Sequence, residues 1–257
     1  MRYVAVALVL LWSMAVLAQQ GAEPRFEVVS IKPHTGPPLT SVPPSPPGAL
    51  RRPNVTVQAL VLYAFQVDDY QLIDMPGWGR ADRFDVEAKA EGATAADMRA
   101  MTRSLLRDRF GLQAHQEMRD GTAYSLVLVN ANGRLGPNLK RNNDDCKSNV
   151  SAPANVPAGA VRGAGCSDAD FIARMASRAV GAPVANKTGL AGLFEYSMFY
   201  SPDGDPLFGR ETAATAPDIA APHFSTALQE QLGLKLERSR AQVDVLVIDH
   251  IERPTDN

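Results

Sequence analysis

The stretch SLLRDRFGLQAH (104–115) lies over TALQEQLGLKLE (226–237) without a gap, and this pair decides the reading of the fold. Leu106 falls on Leu228, and Phe110-Gly111-Leu112 on Leu232-Gly233-Leu234. In each copy apolar residues recur at helical spacing up to a glycine. That glycine suits the left-handed position at which helices end, and an alternating strand follows at once. Outward from these copies, YSLVLV (124–129) corresponds to VDVLVI (243–248), and RFDVEAKA (83–90) to LFEYSMFY (193–200).

Each half therefore reads as helix, strand, strand, helix, strand, strand. In the first half, Thr56 caps a helix ending near Phe65, and Tyr70–Ile73 is a short strand. Met75-Pro76-Gly77-Trp78-Gly79 is a tight turn, Phe84–Ala90 a half-exposed strand, and Thr94 caps a helix to Arg109 with Met98, Met101, Leu105 and Phe110 inward. Strands Leu112–Glu117 and Tyr124–Val129 follow, joined by a turn through Asp120-Gly121. In the second half, Asp168 helps cap a helix over 171–180, Phe194–Tyr200 is a strand, and Ser225 caps a helix over 226–232. Leu234–Glu237 and Val243–Ile248 are the final strands, the last apolar enough to be central. The fold class is α+β, with two similar halves and helices packed on one face of the sheet or sheets. A duplicated unit and a chance recurrence of a common motif both fit this pattern.

The chain opens Met1-Arg2 and is then apolar from Tyr3 to Ala18, interrupted only by Ser13. This is the pattern of a secretory signal, with small residues at Val16 and Ala18 for cleavage. The run is shorter than the roughly 20 residues of a spanning helix, and no lipidation cysteine follows. The expected layout is a signal over 1–18, a strand and Pro-rich loop over 19–53, and a first repeat over 54–140. A disulfide-closed loop over 141–166 and a second repeat over 167–257 complete it. The Pro/Gly/Ser-rich residues 36–53 are expected to form no regular element, and 201–222 is a second such loop. Phe26–Lys32 is a strand ended by Pro33. In an oxidising compartment the two cysteines, Cys146 and Cys166, are expected to bridge, which stabilises the fold by about 3 kcal/mol in the chain-entropy model.

A net charge of −2 gives no electrostatic reason to expect nucleic acid or an anionic membrane as partner. The four histidines, His34, His115, His223 and His250, show no metal-binding spacing, so no metal or cofactor is expected. There is no GxSxG, and neither cysteine lies near a histidine in sequence. Asp249 and His250 are adjacent on a strand and so face opposite ways. Asp203-Gly204-Asp205 is a fragment of a calcium loop without its downstream ligands. One feature suggests recognition: Trp78 sits in a rigid turn with Tyr70 and Arg80 close in sequence, and Trp and Arg on loops are typical anchors. Burial of Trp78 as a plug on the core is the competing reading.

FEVVSIKP (26–33), RFDVEAKA, MTRSLLRDRFGLQAHQEMRD (101–120), KTGLAGLFEYSMFY (187–200) and the ending from Thr226 resemble an uncharacterised family of exported proteins abundant in soil bacteria. Ala185-Asn186 stands where that family has Val-Asp, and Met75 where it has Gly. The resemblance implies export and a two-part layout but carries no established activity. A similar domain joined to a membrane-bound sensor peptidase in some relatives implies a sensing role by analogy. The helix–strand–strand grammar is also loosely similar to short N-terminal domains of secretins and TonB-dependent signalling receptors. The expected function is an exported, non-catalytic module that binds or senses an envelope component, a protein or an extracellular ligand. The alternatives are an extracellular hydrolase built on His115, Glu117 and His250, and an oligomerising envelope component.

Overall fold

The computed structural model describes residues 23–36, 45–147, 150–201 and 220–254. The signal over 1–18, the Asp203-Gly204-Asp205 fragment, residues 37–44 of the first Pro-rich loop and 202–219 of the second lie outside these residues. The fold is α+β, with five helices and three sheets among the described residues. The strands are β1 (Val28–Pro33), β2 (Ala49–Thr56), β3 (Leu72–Ile73), β4 (Arg83–Lys89), β5 (Gln113–Leu128), β6 (Leu139–Asn142), β7 (Val161–Ser167), β8 (Val184–Asn186), β9 (Leu193–Tyr200) and β10 (Leu234–His250). The helices are α1 (Val57–Phe65), α2 (Gly77–Ala81), α3 (Ala95–Phe110), α4 (Ala169–Val180) and α5 (Phe224–Ala227). The chain divides into two compact units, one formed by 1–67, 74–115 and 247–257, the other by 68–73 and 116–246.

The first unit holds the antiparallel sheet β1-β4-β2 with α1, α2 and α3. Thr56 caps α1 by accepting from the Ala59 amide at 3.1 Å. Thr94 and Asp97 cap α3 reciprocally, and Gly111 ends it at φ 59°. Val57, Leu60, Val61 and Ala64 of α1 are buried with Leu105, Leu106 and Phe110 of α3 and with Phe84 and Val86 of β4. Phe84 and Phe110 meet edge to face at 5.8 Å.

Part of the loop expected over 36–53 is strand: β2 begins at Ala49 and pairs with β4. Its Pro53 falls where the register shifts between Arg52 and Val55, a bulge in which proline's missing N–H is not needed. At the bulge Asn54 has φ 53°, and its amide donates to Asp85 Oδ1 at 2.9 Å. The Met75–Gly79 turn is instead the entry to α2, opened by Pro76. Tyr70 lies in a single 3₁₀ turn, Asp69–Gln71, so only Leu72–Ile73 remain strand.

The second unit holds the antiparallel sheet β6-β9-β7 and most of the sheet ordered β3-β10-β5-β8, with α4 and α5. The expected breaks at Asp120-Gly121 and after Glu237 do not occur: β5 and β10 are each one unbroken strand. Gly121 is a close-approach glycine, since a Cβ there would lie 3.0 Å from a Val243 methyl. β10 is central, as its apolar run demands. The disulfide-closed loop contributes β7, which is Gly-rich and so gives no periodic signal. Cys146 and Cys166 are bonded, with Cα atoms 5.6 Å apart.

Asp168 caps α4 by accepting from Phe171 N at 2.7 Å. Its face of Ile172, Ala173, Ala176 and Val180 packs with Phe194, Met198, Leu228 and Leu232. The cap of α5 is His223, while Ser225 is buried inside the helix. Leu228–Leu232 then forms a π turn, which Gly233 ends at φ 70°. Gly136 N donates to Leu232 O at 2.9 Å, and a Cβ on Gly136 would lie 2.4 Å from Gly233 N. That clash is with backbone, which cannot swing away. Gly136→Ala is therefore expected to cost more than about 2 kcal/mol in denaturant unfolding, whereas Gly163→Ala, which meets nothing within 4 Å, costs under about 0.5.

Candidate functional site

The sequence-predicted anchors separate between the two units: Trp78 and Arg80 belong to the first, Tyr70 to the second. Pro76 fixes the entry to α2, and the Asp82 amide closes it on Trp78 O at 2.7 Å. This one-turn helix holds Trp78 half-buried and Arg80 exposed. The Arg253 guanidinium lies 5.1 Å from the Trp78 ring centroid, and Arg253 Nε donates to Asp82 Oδ2 at 2.9 Å. Stacking and ion pair thus hold one cation over one indole.

Arg253 and Asp82 also line a cleft of about 400 Å³, whose other walls are Ile31, Pro33, Arg83, Phe84 and Pro254. A mostly apolar hollow with a few charged groups at its rim is the usual form of a small-ligand site. Asp82 and Arg253 were not singled out in the sequence. The alternation of β4 and the C-terminal Arg-Pro were visible, but nothing local linked residue 253 to residue 78.

Beside this cleft, His34 Nδ1 lies 2.8 Å from Asp85 Oδ1, which also takes the Asn54 amide. Partial burial pushes the Asp85 carboxyl up, but the Asn54 amide and His34 outweigh it and hold it below its usual value. Tyr70 is shifted the other way. Burial raises its phenol first and the Asp68 charge second, against the opposing effects of Ser177 and Arg178. Tyr70 lines a hollow of about 290 Å³ with Ile73, Gly181, Pro183 and Val243.

The hydrolase candidates are placed as follows. His115 Nδ1 lies 2.9 Å from Asp249 Oδ2, Glu117 pairs with Arg119, and His250 Nε2 lies 3.9 Å from Glu252. Asp249, set aside in sequence because it faces away from His250, is the residue that meets His115. Among the described residues no three His, Cys, Asp or Glu side chains gather as a metal site. None of their helices is long and apolar enough to cross a membrane.

Fold and cleft together define an α+β protein carrying a partly exposed Trp–Arg–Asp cluster beside an apolar hollow. The chain belongs to a family described as a protein of unknown function (DUF3738), which matches residues 58–251. Neither the curated proteins nor the solved structures contain a match to it.

Asp85 gives a direct pH test. Its folded pKa is depressed, so its contribution is complete above the unfolded value and is lost as pH falls through the folded one. Asp85→Asn is expected to lower the melting temperature at pH 7, and the deficit should shrink as pH falls through the depressed folded value. A deficit that stays constant with pH assigns Asp85 a purely steric role.

Proposed function

We propose that the protein is an exported, non-catalytic binding or sensing module whose recognition face is built on Trp78 and Arg253. The observation that carries this reading is the Arg253 guanidinium, stacked on Trp78 and held by Asp82 at the rim of the 400 Å³ cleft. Ile31, Pro33 and Phe84 offer an apolar group its burial, and Arg253 offers an acidic group a planar donor fork. A ligand carrying both features takes the place of Asp82 on Arg253. Arg253 and Asp82 are 62% and 37% exposed, so their pair is worth little by itself and exchanges readily.

Export is supported by the Met1–Ala18 pattern and by the Cys146–Cys166 bridge, which persists in oxidising compartments. Duplication of one α+β unit is part of the same reading. The orders β1-β4-β2 and β6-β9-β7 correspond element for element, and β3 and β8 flank the central pair β10 and β5 at opposite edges. Leu106 and Leu228 are both fully buried, and Gly111 and Gly233 both have positive φ.

The chain has two tryptophans, Trp12 and Trp78, and loss of residues 1–18 leaves Trp78 alone. Intrinsic fluorescence of the exported protein then reports directly on this face. Titration with 3-phenylpropionate and N-acetylphenylalanine, which join a ring to a carboxylate, is expected to change Trp78 emission saturably. Arg253→Ala should weaken that binding about tenfold or more. If neither probe changes the emission of a protein that melts cooperatively, Trp78 is not the recognition face.

A further inference from the structure

A second cleft in the first unit, about 440 Å³, is built from different residues. Its cationic wall is Arg103 and Arg107, one helical turn apart on the same side of α3. Arg103 is fixed in advance: its Nη1 donates to Ala64 O at 2.7 Å, and its guanidinium lies 5.9 Å from the Phe65 ring centroid. Arg107 is already taken, because the Glu23 carboxylate pairs with its Nη1. Phe65 and Leu112 supply apolar surface, and Gln113 and Asp249 the remaining polar lining. Asp249, whose carboxylate is oriented by His115, presents acceptors to an N–H or a cation.

We propose that this cleft is a docking site for a peptide segment bearing a carboxylate side chain, and that the chain's own Glu23-Pro24 holds it in cis. What the cleft holds is peptide in character, a carboxylate side chain followed by a proline that also lines the wall. The strap continues with Arg25 Nε 3.5 Å from Asp108 Oδ2, and with Glu27 N donating to Lys89 O at 2.9 Å just before β1. Both ion pairs are exposed, with Glu23 at 62% and Arg25 at 65%, so they hold the strap weakly. A partner segment bearing the same carboxylate meets a preformed guanidinium fork and displaces the strap from Arg107. The strap is thus a built-in competitor that sets the affinity a partner must exceed.

The test uses a pentapeptide with the sequence of residues 22–26, Ala-Glu-Pro-Arg-Phe, carrying fluorescein on its N-terminal amine through a neutral spacer and amidated at its C-terminus, read by fluorescence anisotropy. The exported protein carrying Glu23→Gln is expected to bind it about tenfold more tightly than the unsubstituted protein. Adding Arg107→Gln should remove at least that gain, Arg107→Lys should restore part of it, and the peptide with Gln for Glu should bind weakly to every variant. Circular dichroism and melting of each variant check that it is folded. If a folded Glu23→Gln protein shows no saturable binding, or binds equally well with Arg107→Gln, the proposal is overturned. Saturable binding of glutarate, read by isothermal titration calorimetry, to a protein that ignores the peptide also overturns it, in favour of a small-anion site. Trp78 emission should stay constant throughout, which keeps this site distinct from the first cleft.

Discussion

The second unit depends on the backbone contact between Gly136 and Gly233. Each would place a Cβ 2.4 Å from the other's amide nitrogen, so neither position admits a side chain. Gly233 also needs its positive φ to end the π turn and begin β10. Around this point Val129 N bonds Gly233 O, Gly136 N bonds Leu232 O, and Asn138 N bonds Gln231 O. Buried Gln231 completes the arrangement, because its side-chain amide accepts from Phe199 N and donates to Phe199 O as a neighbouring strand would. One crowded turn therefore satisfies backbone groups from both sheets of this unit.

Much of the secondary structure was legible because it rests on local physics. Thr56, Thr94 and Asp168 cap helices with their own side chains, and Gly111 and Gly233 end them with positive φ. The strand alternation of 83–90 reappears as buried Phe84, Val86 and Ala88, and that of 193–200 as buried Phe194, Tyr196 and Met198. Two of the misreadings share one cause. Glycine and proline are punctuation for a chain read alone, but a partner strand can reverse their meaning. Gly121 looked like a turn until Val243 was set opposite it, and Pro53 looked like loop until β4 gave it a bulge to occupy.

The candidate sites were less legible, because each is closed by a residue far away in the chain. Trp78 was visible as an anchor, but Arg253 stacks on it from near the C-terminus. His115 was visible as a titratable group, but its partner Asp249 is 134 residues on. Arg103 and Arg107 carry no cleft signal in their own helix, and only the position of Glu23 makes that side of α3 one wall of a cleft. Sequence periodicity reports which way a side chain points along its own element. It carries no information about which distant element arrives in front of it.

The interleaving of the two units has a consequence for the order in which the chain matures. The first unit draws on residues 247–257, where Glu252 N bonds Phe110 O and Arg253 covers Trp78. The second draws on residues 68–73, where Gln71 Nε2 bonds Asp244 O and Asp68 meets Arg178. Neither unit is a continuous piece of polypeptide, so each waits for residues of β10. As the chain is made from its N-terminus, Trp78 is present before the arginine that stacks on it. The cluster of Trp78, Asp82 and Arg253 thus forms only after β10 has been made.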